Sequence, residues 1–174
     1  MKWRVLGLFL VLGLVAYAPS LKGPFQFDDK RVILDPKVRE RRSILGFLGE
    51  SLGIANDPGG PLGTRSLVHA TFLADWKLWG EKTWPYHVEN VVIHVLAAWL
   101  VFILLRQLGI KHWPAVFGGG VFLLHPVQTQ AVAYISQRFE SMAAMFYLLA
   151  VVLYLKARVH SRGGLYYGMS LLAG

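Results

Sequence analysis

Residues 86–108 read YHVENVVIHVLAAWLVFILLRQL, and between Val91 and Leu105 there is no formally charged side chain and only His94 as a polar one. A helix needs ~20 mostly apolar residues to cross a hydrocarbon layer of ~30 Å. In lipid, a single segment can satisfy its backbone polar groups internally only as a helix. The stretch therefore predicts a membrane helix over 86–108.

Three comparable runs surround it. The first covers 5–21, behind the basic start Met1-Lys2-Trp3-Arg4. The second covers 113–125, closed by His125-Pro126, and the third covers 138–155, uncharged from Ser141 onward. A further apolar stretch, 165–174, reaches about half a crossing and implies a longer protein. The Ala16-Tyr17-Ala18 triplet has the form of a signal-peptide cleavage site. Pro19 at the following position and the later apolar runs favour an uncleaved first helix. The expected fold is all-α: a polytopic membrane helix bundle of about four spans and an incomplete fifth.

Composition agrees. The chain has 174 residues, 55% hydrophobic and 16% charged, with a mean hydropathy of +0.45. A soluble domain carries about a quarter charged residues. The net charge of +8 sits beside the apolar runs, which suits lipid headgroups and argues against nucleic acid as a partner. With no cysteine, disulfides, thiolate metal sites and cysteine nucleophiles are excluded.

The short basic groups are Lys2 and Arg4, then Arg106 and Lys111, then Lys156, Arg158 and Arg162. Alternating helices place all of them on one side, which the positive-inside rule makes cytoplasmic. The long loop 22–85 is then outside. Two of its stretches have amphipathic spacing, 39–54 and 65–79, and both are expected on the membrane surface. Asn56-Asp57-Pro58-Gly59-Gly60-Pro61 separates them as a breaker. Gly118-Gly119-Gly120, inside an apolar helix, suits close helix packing better than phosphate binding.

Chemistry-bearing residues gather toward the outer ends of these helices. Phe25-Gln26-Phe27-Asp28-Asp29 sets an acidic pair just outside the first helix. Adjacent carboxylates repel, and one of such a pair is suited to taking a proton from a hydroxyl. The competing reading is that Asp28 caps a short helix. His87, Asn90 and His94, at offsets of three and four, share one helix face. Histidine or asparagine on this face can hydrogen-bond a phosphate or make a structural inter-helix contact; the structural role is assigned to Asn90 and His94. His125 ends one helix, and Arg138 opens the next. Both have a plain reading as helix stop and interfacial anchor. The histidines lack close ligand spacing, so no metal site is expected.

The order Phe27-Asp28-Asp29, Thr64-Arg65-Ser66-Leu67, Tyr86-His87-x-x-Asn90-x-x-x-His94 and His125-Pro126-x-x-Thr129-x-Ala131-Val132 resembles a known family. It is similar to the membrane region of the transmembrane and tetratricopeptide-repeat protein O-mannosyltransferases and their bacterial relatives, over about 5–158. The resemblance implies a fold of the GT-C glycosyltransferase type. It also implies transfer of a mannose-like sugar from a polyprenyl-phosphate donor to a hydroxyl acceptor, a protein serine or threonine, on the non-cytoplasmic face.

By the same resemblance, Asp28 or Asp29 is the catalytic base. Arg138, Arg65, His87 and His125 are the candidates to hold the donor phosphate. Tetratricopeptide repeats are expected beyond the membrane region, outside this chain. The membrane is the bacterial inner membrane, or the endoplasmic reticulum in a eukaryote, with the N-terminus cytoplasmic. The chain departs from the family pattern at Arg65-Ser66-Leu67, where Arg-Pro-Leu is usual, and at Gln128-Thr129-Gln130-Ala131, where His-Thr-Glu-Ala is usual. The second departure removes a carboxylate and leaves Asp28 and Asp29 as the acid/base pair. The alternative functions are a non-catalytic membrane anchor for a repeat domain and, less well supported, a proton-relay transporter.

Overall fold

The computed structural model describes residues 1–33, 66–159 and 168–172, and among them there are helices and turns but no strands. The amphipathic stretch 39–54, the breaker at 56–61, Arg65 and half of 165–174 lie outside the described residues.

The first apolar run forms α1 (Lys2–Ala16), continued past Tyr17 by a 3-10 turn, Ala18–Lys22, with Pro19 in its first turn where a missing N–H costs nothing. A short α2 (Asp28–Ile33) carries both aspartates in its first turn, where the helix dipole favours negative charge. After the undescribed segment come α3 (Ser66–Trp79) and α4 (Thr83–Gln107). Gly109, at φ +86°, ends α4 in a conformation that glycine adopts freely. Next is α5 (His112–Leu124), stopped by Pro126, which pushes His125 into extended backbone. Two 3-10 turns, Pro126–Gln128 and Ile135–Gln137, flank a short α6 (Thr129–Ala133) and lead into α7 (Arg138–Val159).

The 25-residue α4 and the 24-residue stretch Ile135–Arg158 are long and apolar enough to cross a membrane. At 15 and 13 residues, α1 and α5 are shorter than the ~20 residues a crossing needs. At ~1.5 Å per residue α5 covers ~20 Å, because prolines bound it on both sides. Among the described residues, two helices thus meet the length on their own.

α4 is the central helix, with α1, α5 and α7 around it. Val91, Val95, Ala98 and Phe102 of α4 join Val5 and Phe9 of α1 and Ala115 and Leu123 of α5 in one buried cluster. Small residues let the backbones approach. A Cβ on Gly119 would sit 2.8 Å from the Phe9 ring and 3.0 Å from the Ala98 carbonyl oxygen, and one on Gly13 would sit 2.7 Å from Val95.

Contacts along α4 fix the directions of its neighbours. Trp99 stacks on Trp3 and donates to the Lys2 carbonyl, while Gly13 meets Val91 and Val95, so α1 runs antiparallel to α4. Gly118 lies against Leu105, while His94 bonds the Leu123 carbonyl, so α5 is antiparallel too. Asn90 meets Arg138, and Gln107 reaches the Val152 carbonyl, so α7 runs parallel to α4. One end of the bundle therefore collects the C-termini of α1 and α5 and the N-termini of α4 and α7.

At that end α2 and α3 cover the start of α4. Ile33, Val68, Phe72, Tyr86, Ile135 and Met142 form a second buried cluster. The apolar face of α3, expected on the membrane surface, is spent here: Val68 and Phe72 are buried in protein, and only Leu78 and Trp79 at its C-terminal end remain exposed. Along the bundle sides, Trp3, Val11, Trp113, Phe117 and Tyr147 face outward, an apolar exterior of the kind that lipid or further helices cover.

Candidate active site

The two aspartates of α2 have different surroundings. Asp29 is 1% exposed, and both its oxygens are taken: Oδ2 accepts the Gln26 N–H at 3.0 Å and Oδ1 accepts the Ser136 N–H at 2.7 Å. It binds the start of α2 back on itself and across to the turn Ile135–Gln137. Asp28 is exposed and makes no hydrogen bond or ion pair with the described residues. Its predicted role as a cap is not seen, because Asp29 is the side chain that bonds the N-terminal backbone. Phe27, just before it, is held at φ +38°, a sparsely populated conformation for a bulky residue that needs local bonds to maintain it.

Asp28 opens onto a cavity of about 320 Å³, shared with Arg31, Ser136, Gln137 and Glu140. The geometry brings a solvent-accessible carboxylate, a guanidinium and amide and hydroxyl groups to one concave surface at the collected end of the bundle. Such a surface has what a hydroxyl substrate needs: an acceptor for its proton and polar groups to orient it.

Beneath the cavity lies Arg138, with no exposed surface. Burying a cation is tolerated only with charge and hydrogen-bond partners, and Arg138 has several. Nε donates to Asn90 Oδ1 at 2.9 Å and Nη2 to the Tyr86 carbonyl at 3.1 Å. Nη1 donates to Asp75 Oδ2 at 2.7 Å and to Thr71 Oγ1 at 3.1 Å, with Glu89 Oε2 2.9 Å away. The Phe72 ring covers the guanidinium at 4.5 Å. Every nitrogen of the predicted phosphate ligand thus already donates into the protein, because α7 begins directly under α3 and α4.

The other predicted residues are placed as follows. Asn90 is fully buried, and its amide donates to the Tyr134 and Ile135 carbonyls at 3.0 and 3.3 Å while its oxygen accepts from Arg138. His94 is buried against α5 through its bond to the Leu123 carbonyl at 3.1 Å. His87 is 2% exposed and bonds the Gly23 carbonyl through Nε2 at 3.1 Å. His125 is exposed at the end of α5, and its Nδ1 accepts the Val127 N–H at 3.2 Å. Arg65 lies outside the described residues.

Sequence reasoning missed Thr71, Asp75 and Glu89. Asp75 carried a signal, being an acid one turn from Phe72 and next to Trp76 in an amphipathic stretch, and such a group is either at the margin of the face or buried with a partner. Arg31 was also passed over, although it lies one turn along from Asp28 on the same helix face.

No family model matches the chain, and no solved structure matches it. Curated relatives do. The chain is 30% identical to Protein O-mannosyl-transferase F38B6.6 of Caenorhabditis elegans, over 89% of this chain and 23% of that protein. It is 30% identical to Protein O-mannosyl-transferase Tmtc1 of Drosophila melanogaster, over 88% of this chain and 18% of that one. It is also 30% identical to Protein O-mannosyl-transferase TMTC2 of Mus musculus, over 94% of this chain and 20% of that one. The chain spans about a fifth of the length of these relatives. Over nearly all of its residues the chain is similar to one segment of the TMTC-type protein O-mannosyl-transferases.

Proposed function

We propose that this chain is part of a membrane glycosyltransferase that moves a mannose-like sugar from a polyprenyl-phosphate donor to a hydroxyl, on a protein serine or threonine, at the non-cytoplasmic face. The observation that carries the reading is the exposed carboxylate of Asp28 on a polar cavity at the end of an apolar bundle, in a chain similar to O-mannosyl-transferases.

Asp28 accepts the proton of the acceptor hydroxyl as its oxygen attacks the anomeric carbon. The bond from that carbon to the donor phosphate breaks, and the lipid phosphate leaves with the electron pair. Arg31, on the same cavity, supplies positive charge for the departing phosphate. His87 and His125 do not line this cavity and remain, with Arg65, secondary candidates for the phosphate. Asp29 and Asn90 hold the walls. A donor whose tail stays in the bilayer requires a site at the membrane boundary, and the position of the cavity at the end of an apolar bundle supports that reading.

The test is transfer of labelled sugar by the complete protein that carries this segment. Asp28→Asn lowers turnover ~10²–10⁴-fold, the usual weight of a general base, with membrane insertion unchanged. Full activity in that variant would exclude the role and favour a non-catalytic membrane anchor.

A further inference from the structure

Arg138 does not reach the cavity, yet the cavity wall is built on it. The turn Ile135–Gln137, which supplies Ser136 and Gln137 to the cavity, runs directly into Arg138. Its path is fixed from two sides. On the inner side, Asn90 holds the Tyr134 and Ile135 carbonyls with its amide and is itself held by Arg138 Nε. On the outer side, Asp29 accepts the Ser136 N–H and so ties the turn to α2, one residue from Asp28. Ile33 and Ile135, both buried, pack in the same cluster and reinforce the link.

A continuous chain of short bonds thus runs from Asp75 and Thr71 on α3, through Arg138 and Asn90, to the turn, and through Asp29 to α2. A guanidinium suits this place, since its rigid fork spreads five donors over three nitrogens and so reaches four separate acceptors, whereas an ammonium offers three donors from one point. We propose that Arg138 and Asn90, anchored by Thr71 and Asp75, are positioning residues that set the turn Ile135–Gln137 against α2 and so hold the Asp28 carboxylate in its working place. This rests on the reading of Asp28 as the reacting base.

Two measurements on the complete protein test it. The first does not depend on catalysis. Arg31→Cys paired with Gln137→Cys puts one thiol on each wall of the cavity, and the rate of oxidative cross-linking reports how closely the walls are held. Thr71→Val, nearly isosteric, removes the hydroxyl that accepts from Arg138. It slows cross-linking about tenfold, the weight of one hydrogen bond to a charged group, and Thr71→Ser restores the rate. Arg138→Lys slows it at least as much.

The second is steady-state transfer by the single variants. Thr71→Val lowers kcat about tenfold and leaves KM for the donor within twofold, and Thr71→Ser recovers kcat. Unchanged cross-linking in both Thr71→Val and Arg138→Lys would overturn the positioning role whatever the activity. Slowed cross-linking with unchanged kcat would overturn the link to Asp28 alone. Loss of the Asp28 dependence itself would fall on the proposed function and leave the cross-linking result standing.

Discussion

The interior of the α1–α4–α5 contact and the interior beneath α2 and α3 are both fully buried, but they are held by different means. In the first, Gly13 and Gly119 leave room for Val95, Phe9 and the Ala98 carbonyl, so cohesion comes from backbones brought close together. Its few polar links, Tyr17 and His94, converge on the single Leu123 carbonyl. In the second, one guanidinium organises two carboxylates, an amide, a hydroxyl and a carbonyl. Close packing sets distance between helices, and it tolerates sliding along their length. Directional bonds to a charge fix position in all three dimensions, as a wall next to a reacting group requires.

The largest expected effect breaks the second region. Arg138→Met strands the Asp75 carboxylate, 1% exposed, without its cation, and costs ~3–5 kcal/mol. Thermal unfolding in detergent measures it, and Asp75→Leu in the same background should recover part of the loss, since the two sites are coupled. An equal loss in the double variant would show that the pair is not the source. Next is the first region: Gly119→Leu drives a side chain into Phe9 and the Ala98 backbone and costs ~1–3 kcal/mol, read by the same melt.

Smaller effects sharpen the contrast. Tyr17→Phe deletes the bond from its hydroxyl to the Leu123 carbonyl and costs ~0.5–1.5 kcal/mol, because His94 still satisfies that carbonyl. Gly120→Ala meets open space and should stabilise α5 by up to ~1 kcal/mol through helix propensity. A loss there would mean that all three glycines are packing positions rather than two.

These regions also differ in how much the sequence discloses. The helices are legible because lipid-like runs such as 91–105 have one regular solution, and His125-Pro126 marks a stop through backbone sterics alone. Asp28, Asn90 and Arg138 stand out by residue type. Their division of labour does not, because it depends on pairing across 107 residues between Asp29 and Ser136 and across 63 between Asp75 and Arg138. An arginine at the mouth of an apolar helix reads as an interfacial anchor until α3 is seen to lie over it. The α3 face misleads for the same reason: periodicity shows that Val68, Phe72 and Trp76 align, but whether lipid or protein covers them is decided by tertiary structure.

Accessibility mapping most directly tests whether the Asp28 cavity faces away from the cytoplasm at the collected end of the bundle. This chain has no cysteine, so single substitutions in a complete protein otherwise freed of reactive thiols can be probed with an impermeant thiol reagent. Asp28→Cys and Gln137→Cys should label from the non-cytoplasmic side, and Arg106→Cys and Lys111→Cys from the cytoplasmic side alone. Labelling of positions 28 and 137 from opposite sides, or of 28 and 106 from the same side, would contradict the account.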